Sequence, residues 1–424
     1  MSLKILIAGF GVMGRHYAEK IIENSATLGA SLTAIVDIND KAFSLDNVSG
    51  KHNAPTLQKA LDSSVHFNDI DTALAEMKPD IVLNAANNEG HIEIIRALHQ
   101  HGTSSIYLTE KPLVDKPSET EEAKDLLKKH FVSINMVTNL SEAASELRDW
   151  IADNPQLKLL GIDTVWGKDR TQDDRPTPGI ANDIVHPVGL IQTIFNVGEW
   201  EQSSAATGYY GHLSTDRNQQ PVNCVYHYNA DFQTDACPVR LDCSFAWQDQ
   251  ARQVTAFFVD DKNQYFSANL FLDEKHPEAS GRCDFFQIHQ INPADMSATL
   301  VYESPAYNTD KLLSFVEQSI AAYKAGAAPE AAGLTGLEQE LQIGRVYGML
   351  NPDDLQNGAT QSPLLSIVNQ ATDMAAKEPA FTAISKASPL ELAERIQAFT
   401  NINAHTHSQP QQAAAFDTRA YNPL

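Results

Sequence analysis

Three glycines near the start of the chain have the spacing of a phosphate-binding loop. Gly9, Gly11 and Gly14 form the pattern G-x-G-x-x-G, directly after an apolar run and directly before a helical pattern that includes Val12 and Met13. In that context Gly9 permits a tight turn, Gly11 lets the backbone approach a pyrophosphate, and Gly14 lets the helix pack closely on the strand. The N-terminus of the helix would then face the anion. The sequence therefore predicts that these five residues bind a dinucleotide.

An acidic residue, Asp37, closes the next apolar run. About 20 residues after such a loop, a carboxylate can accept hydrogen bonds from both hydroxyls of the adenosine ribose. The same charge would repel the 2′-phosphate of NADP, and Ile38, Asn39 and Asp40 supply no cation to offset it. NAD is therefore the expected cofactor, with NADP less favoured. In the alternative interpretation, Asp37 only ends its strand.

Lys111 follows another apolar run and precedes Pro112. It would stand at the carboxyl end of a strand, which is the edge where open α/β sheets bind ligands. An ammonium group there can stabilise a developing alkoxide, and Pro112 restricts Lys111 to extended conformations that fix the direction of its side chain. Lys111 is thus a candidate catalytic and substrate-binding residue. The alternative is a surface lysine in a loop.

A second polar cluster lies on a predicted helix at Asn182, Asp183 and His186. His186 titrates near neutrality, so it can take the proton of an alcohol while hydride leaves the carbon. Asn182 and Asp183 both share the helix face of His186. Either can hold the imidazole or contact a substrate hydroxyl, and we favour Asp183 as the catalytic partner, with Asn182 in substrate binding. The alternative for His186 is a structural histidine.

A basic group precedes this helix at Lys168, Arg170 and Arg175. In a chain with so many acidic residues these cations could face an anionic substrate, and Lys168 is the candidate substrate-binding residue among them. The alternative is a set of solvated loop charges that pair with neighbouring aspartates.

A parallel sheet would bring the first group of residues to one edge. Over residues 1–135, short apolar runs alternate with helical patterns, which predicts a doubly wound α/β domain of the Rossmann type. The strand candidates are Lys4–Ala8, Ser31–Val36, Ile81–Ala85, Ser105–Leu108 and Val132–Asn135.

The rest of the chain has a different pattern of apolar and polar residues. Residues 136–350 contain five or six successive β-rich stretches and then two helical patterns, which predicts an α+β domain with a mostly antiparallel open sheet that binds substrate. Residues 351–424 are rich in Gln, Ala, Ser and Pro, with two helical patterns and a polar tail. This extension could be a packing arm, an oligomer contact or a partly disordered end.

The stretch Thr109–Leu113 reads T-E-K-P-L, and together with the glycine loop it resembles the glucose-fructose oxidoreductase, inositol dehydrogenase and rhizopine-catabolism family of NAD(P)-dependent enzymes. The resemblance covers about residues 3 to 350. It implies that Glu110 and Lys111 lie beside the nicotinamide and that Lys111 hydrogen-bonds the reacting hydroxyl.

The turn Asn84–His91 resembles the A-T-P-N-x-x-H turn of the same family, although Ala86 and Asn87 replace Thr and Pro. The resemblance places Asn88 and His91 at the cofactor, and Asn88 could equally cap the next helix.

Two further stretches extend the resemblance into the second domain. Asn182–His186 resembles the D-x-x-x-H helix whose histidine is the general acid/base, with Asn182 in place of the aspartate. Val137–Asn139 lacks the Arg or Tyr that shapes the substrate pocket in many members, which leaves the substrate class open.

The composition excludes some partners. The 424 residues carry a formal charge of −23, which would repel nucleic acids and anionic membrane surfaces. The four cysteines lack a C-x-x-C pair, so the sequence predicts neither a disulfide framework nor a zinc site of that type. Without a targeting leader or a long apolar run, the sequence predicts a cytoplasmic protein.

These features predict an enzyme that moves hydride between nicotinamide and a secondary alcohol of a sugar, polyol or sugar acid. Two alternatives keep the same residues: a glycosidase that uses transient oxidation by bound NAD, and a catalytically silent sensor of dinucleotide and metabolite. A broad sheet with helices on one face leaves its other face to be buried, and members of the family commonly pair there, so we expect a homodimer or homotetramer.

Overall fold

The structure is a computed structural model that describes residues 2–45, 52–102, 105–169, 181–209, 225–244, 246–292 and 297–349. The chain divides into two compact units. The first unit comprises Met1–Ser141, Val188–Thr193 and Thr309–Gly348, and the second includes Glu142–Pro187 and Ile194–Asn308. The predicted extension over residues 351–424 lies outside the described residues.

Six parallel strands form the sheet of the first unit, in the order β3-β2-β1-β4-β5-β6. Its elements up to residue 135 are β1 (Leu3–Ala8), α1 (Val12–Leu28), β2 (Ala30–Val36), α2 (Ala54–Ser63), β3 (Val65–Phe67), α3 (Ile70–Met77), β4 (Ile81–Asn84), α4 (Asn88–His101), β5 (Ile106–Glu110), α5 (Thr120–Leu127) and β6 (Phe131–Asn135). The strand order reverses between β1 and β4, where doubly wound sheets bind ligands. The predicted Rossmann fold is confirmed.

Burial explains which strands the sequence predicts. Ile5, Leu6, Ile7 and Ala8 are at most 1% exposed, as expected for a central parallel strand that is covered on both faces. Strand β3 was not predicted, because it lies at the edge of the sheet and two of its three residues are exposed.

An eight-stranded sheet forms the core of the second unit, in the order β14-β13-β12-β11-β7-β10-β9-β8. The elements of this part of the chain are α6 (Glu142–Asp153), β7 (Lys158–Asp169), α7 (Ala181–Phe195), β8 (Trp200–Tyr209), β9 (Val225–Thr234), β10 (Pro238–Ser244), β11 (Ala246–Val259), β12 (Tyr265–Lys275), β13 (Arg282–Asn292) and β14 (Ser297–Glu303). Within this sheet β7 and β10 are parallel neighbours, and the other neighbours are antiparallel. The predicted mostly antiparallel sheet is confirmed.

Two strands of this sheet, β8 and β14, were not predicted. Both are edge strands. Every residue of β14 is at least partly exposed, and β8 begins with the polar run Glu201–Ser204 after Trp200. A strand that is exposed or polar in this way lacks the alternation of apolar and polar residues from which a strand is predicted.

Two helices near the end of the described chain, α8 (Lys311–Ala325) and α9 (Leu337–Met349), belong to the first unit. This differs from the sequence analysis, which assigns residues 136–350 to the second domain. Phe315, Val316 and Ile320 of α8 share one hydrophobic core with Ile5 and Ile7 of β1. The apolar face of a helix decides where it packs, and its position along the chain does not.

Among the helices in the described part of the chain, none combines the length and the apolar character that crossing a membrane needs.

Candidate functional site

The glycine loop joins β1 to α1, and each of its glycines meets a different requirement. Gly9 has φ +89°, and a Cβ atom there would lie 2.5 Å from the Cα atom of Ala86. A Cβ atom on Gly14 would lie 1.9 Å from the carbonyl oxygen of Gly9. At Gly11, in contrast, a Cβ atom would meet nothing within 4 Å. Gly9 and Gly14 are thus required by the protein itself, whereas Gly11 keeps open the space in front of the loop.

The beginning of α1 fits the pyrophosphate of a dinucleotide. The backbone N–H groups in the first turn of a helix have no acceptor within the helix, which makes this end a site for anions. Gly11 is the N-cap and has no capping side chain, and the first turn contains no acidic residue. The N–H groups of Val12 and Met13 are therefore not held by a side-chain cap, and they lie beside the open space at Gly11.

Asp37 lies at the end of β2 and faces the glycine loop. Its Oδ2 atom accepts a hydrogen bond of 2.7 Å from the backbone N–H of Phe10, and its Oδ1 atom accepts one of 2.9 Å from Asn39. The carboxylate is partly exposed. Asp37 thus fixes the loop and holds a negative charge beside it, which suits a ribose with free hydroxyls.

The turn after β4 is fixed by buried polar groups. Asn84 is fully buried, donates to the hydroxyl of Tyr107, and accepts from the backbone N–H of Ala86. Helix α4 has Asn87 as its N-cap and Asn88 as its first helical residue. The alternative that Asn88 caps this helix is therefore wrong, because Asn88 already has a helical backbone. Asn88 is partly exposed, and its role at the cofactor stays a prediction.

His91 is fully buried and lies between two backbone segments. Its Nδ1 atom is 2.8 Å from the carbonyl oxygen of Pro112, and its Nε2 atom is 3.2 Å from that of Ala86. Burial is the largest cause that lowers the pKa of His91, so the ring is neutral and can donate from only one nitrogen at a time. His91 can therefore affect a bound cofactor only by fixing the backbone at Ala86 and at Pro112.

Glu110 takes part in a three-membered network. Its Oε1 atom accepts hydrogen bonds from the hydroxyl of Tyr17, at 2.6 Å, and from Nδ2 of Asn135, at 2.8 Å. Burial, followed by the charge of Glu110, raises the pKa of Tyr17 far above its ordinary value, so the phenol stays protonated. Tyr17 and Asn135 thereby fix the carboxylate at the end of β5.

Lys111 follows β5 directly, and the peptide bond that joins it to Pro112 is cis. The backbone N–H of Leu113 donates a hydrogen bond of 3.0 Å to Oε1 of Glu340, which lies on α9. Burial raises the pKa of Glu340 to about 7, while the Leu113 hydrogen bond and the charge of Lys111 lower it. A buried carboxyl group therefore holds the segment of Lys111 and interacts with its ammonium group.

In the second unit, Lys168 contacts Asp183, and His186 contacts Trp166. The ammonium group of Lys168, at the end of β7, is 3.3 Å from Oδ2 of Asp183 on α7, and both side chains are largely buried. The ring of His186, one turn further along α7, stacks on Trp166 with centroids 6.4 Å apart. Lys168 is therefore not the solvated loop charge of the alternative interpretation.

Three predicted residues of this region cannot be placed. The side chain of Asn182 and the whole of Arg170 and Arg175 lie outside the described residues. The choice of Asp183 over Asn182 stays a prediction.

Sequence reasoning missed four polar residues that hold the candidate cofactor site. Asn84 and Asn135 end apolar parallel strands, so their position at the carboxyl edge was a usable signal. Tyr17 lies on the buried face of α1, and an aromatic residue at such a position is usually interpreted as part of the hydrophobic core. Glu340 offered no signal, because its contact partner Leu113 is 227 positions away.

Residues 3–137 match the model of the GFO_IDH_MocA family, described as an oxidoreductase family with an NAD-binding Rossmann fold. No curated protein sequence matches the chain.

Several solved structures share the fold. Their sequence identities to this chain are low and support a shared fold only. UDP-N-acetylglucosamine 3-dehydrogenase from Acidithiobacillus ferrooxidans superimposes with a TM-score of 0.57 at 12% identity, covering 82% of this chain and 96% of its own. A 3-ketoreductase from Actinomadura kijaniata, solved with TDP-benzene and NADP, gives a TM-score of 0.58 at 12% identity, with 82% of this chain and 96% of its own covered. Scyllo-inositol dehydrogenase from Lactobacillus casei, solved with NAD(H) and scyllo-inositol, gives 0.57 at 12%, with 82% and 95% covered.

The glycine loop and the parallel sheet of residues 3–137 thus agree with the NAD-binding Rossmann fold of the matched family model.

Proposed function

We propose that this chain is a dehydrogenase that transfers hydride between NAD and a secondary alcohol of a sugar, polyol or sugar acid. The observation that carries the proposal is a continuous series of contacts along the carboxyl edge of the first sheet. Gly9 of the glycine loop lies against Ala86, and the two ring nitrogens of His91 lie against the carbonyls of Ala86 and Pro112. The position of Lys111 is thereby tied to the loop that binds the cofactor.

Lys111 has the chemistry that alcohol oxidation needs. When the hydroxyl proton leaves, negative charge develops on the oxygen, and a positioned ammonium group stabilises it. Glu340 is buried close enough to interact with this ammonium group and holds the backbone at Leu113. When NAD is bound, its nicotinamide supplies the hydride acceptor. The role of the chain is then to orient the hydroxyl and stabilise the alkoxide.

His186 is the proposed base for the hydroxyl proton. His186 is 9% exposed, and its ring stacks on Trp166. Asp183, one turn earlier on α7, forms an ion pair with Lys168 of β7. We assign Asp183 to holding the imidazole or a substrate hydroxyl, and Lys168 and Asn182 to substrate binding.

The substrate class rests on the similar structures. The names of three of them refer to a nucleotide sugar, a 3-keto group and scyllo-inositol. All are polyhydroxylated rings or sugar-like carbonyls, and the proposed chemistry at Lys111 suits either. NAD is preferred to NADP in this proposal because of the carboxylate of Asp37.

The test compares Lys111→Ala with the matched variant Lys116→Ala. Lys116 lies on the surface and contacts Glu119 at 3.7 Å, so its loss should leave activity unchanged. We expect Lys111→Ala to lower kcat by roughly 10²- to 10³-fold while NAD binding is retained. Unchanged turnover in Lys111→Ala would overturn the assignment. Turnover of a glycoside without net NADH would instead identify a glycosidase, and NAD binding without turnover would identify a sensor.

A further inference from the structure

A cluster of two histidines and one glutamate lies in the first unit, on residues that the proposed reaction does not use. His16 and Glu19 are one turn apart on α1, and His52 stands just before α2. The Nδ1 atoms of both histidines lie 3.3 Å from the same atom, Oε2 of Glu19. One potential ligand atom from each residue lies within 4.8 Å of the other two.

The cluster is largely removed from water. The side chains of His52, Glu19 and His16 are 1%, 8% and 25% exposed. The Nε2 atom of His52 is buried and has no hydrogen-bond partner among the described residues. The other ring nitrogen, Nδ1, is the one that faces Glu19. The more exposed edge at His16 leaves a route for a small ion.

The distances suit a shared metal ion better than two hydrogen bonds. A charge-assisted hydrogen bond between nitrogen and a carboxylate is usually about 2.7–2.9 Å long. Two ligands at about 2.0–2.2 Å from a tetrahedral zinc ion are about 3.3 Å apart. The two Nδ1–Oε2 distances of the cluster are both 3.3 Å.

The donor set selects the kind of ion. Two imidazole nitrogens and one carboxylate oxygen suit Zn²⁺ and similar transition metals, whereas Mg²⁺ and Ca²⁺ prefer oxygen ligands. The second oxygen of Glu19, Oε1, accepts a hydrogen bond from the backbone N–H of Asn53, which fixes the carboxylate. Such outer hydrogen bonds commonly orient metal ligands.

We propose that His16, Glu19 and His52 bind one divalent transition-metal ion of the Zn²⁺ type, with water as the fourth ligand. The ion would join α1 to the start of α2. The proposal is independent of the dehydrogenase reaction, because none of its three ligands belongs to the glycine loop or to the segment of Lys111.

The experiment titrates the full chain, after treatment with a chelator, with Co²⁺ and with Zn²⁺. We expect one equivalent of Co²⁺ to give the visible absorption of a four-coordinate ion, and Zn²⁺ to displace it. His16→Ala should weaken binding by at least the roughly 10- to 100-fold that the loss of an outer-shell partner costs. Alanine is a better helix former than histidine, so this variant should fold.

Two more variants complete the test. Glu19→Gln removes the charge but keeps an oxygen that accepts from Asn53, and it should weaken binding similarly. His101→Ala removes a histidine that pairs with Asp71 elsewhere on the first unit, and it should bind as the wild type does. A wild-type protein that binds no equivalent of either ion would overturn the proposal. Equal binding by His16→Ala, Glu19→Gln and His101→Ala would do the same.

Discussion

Two carboxylates beside the candidate cofactor site differ in what surrounds them. Asp37 is partly exposed and accepts two backbone hydrogen bonds, and the spacing from the glycine loop predicted its position. Glu340 is buried and accepts one backbone hydrogen bond, and no pattern predicted it. Local spacing reveals a residue whose neighbours are close in sequence. It cannot reveal one that reaches the site through tertiary packing.

The first prediction concerns the pH dependence of stability at Glu340. Its pKa rises from 4.5 to about 7 on folding, so the folded state binds its proton more tightly, and this contribution to stability is lost as the pH rises through that window. Glu340→Gln cannot ionise but can still accept from Leu113. From pH 4.5 to 7, the free energy of unfolding of the wild type should therefore fall relative to the variant by up to about 3 kcal/mol.

Urea unfolding at several pH values measures this difference. Glu338→Gln, on the same helix but exposed and paired with Lys124, is the control and should follow the wild type. Parallel curves for the wild type and Glu340→Gln would contradict the prediction.

The second prediction concerns cofactor choice at Asp37. Asp37→Asn keeps an oxygen that can accept from Phe10, but it removes the charge that repels a 2′-phosphate. The ratio of the Kd for NADP to the Kd for NAD should fall about 10-fold or more, which corresponds to about 1.4 kcal/mol. Fluorescence titration with both cofactors measures the ratio. Asp40→Asn, a neighbouring acidic position, should leave it unchanged, and an unchanged ratio in Asp37→Asn would refute this role.

At the scale of the elements, burial decided what the sequence could predict. The central strands of the first sheet are apolar runs, and polar residues such as Asn84, Glu110 and Asn135 mark where three of them end. The edge strands β3 and β14 were missed because most of their residues are exposed, and β8 was missed because it continues from Trp200 into the polar run Glu201–Ser204. Of these three strand-end residues, the sequence analysis named only Glu110 as a site residue.

The glycine loop allows a prediction that separates folding from binding. Gly11→Ala places a methyl group in open space, so stability should be retained while NAD affinity falls at least about 10-fold. Gly14→Ala forces a clash with the carbonyl of Gly9, so it should lower both stability and affinity. Thermal unfolding and NAD titration measure the two effects. Gly344→Ala, whose added methyl group also meets nothing within 4 Å, is the control. Normal NAD affinity in Gly11→Ala would contradict the assigned role.

At the scale of the whole molecule, the sequence analysis did not predict the contacts between segments that are far apart in the chain. Helices α8 and α9 pack in the first unit, because the apolar face of α8 completes the hydrophobic core of that unit. Glu340 lies on α9 and therefore belongs to the same unit. The predicted fold of both sheets was correct, since each strand pattern carries its own signal. The division of the chain into units depends on contacts between segments that are far apart in the sequence, and neither segment alone reveals such a contact.

The expectation of a homodimer or homotetramer stays a prediction of the sequence analysis. Ile162, Ala256 and Ala268 follow one face, where Tyr302 also donates to Glu146 of α6. The opposite face carries hydrogen-bonded polar side chains, including Thr255, Asn269 and His289. Light scattering should give a mass of two or four chains of 46.5 kDa each. A monomer at micromolar concentration would contradict this prediction.

The central claim is hydride transfer to NAD that depends on Lys111. The most direct test screens polyols, aldoses and uronic acids with NAD⁺ and with NADP⁺ and records the absorbance of the reduced nicotinamide. We predict NADH formation that depends on one of these substrate classes and disappears in Lys111→Ala, while that variant still binds NAD. NAD binding without NADH from any of the three classes, or undiminished NADH formation by Lys111→Ala, would contradict the account.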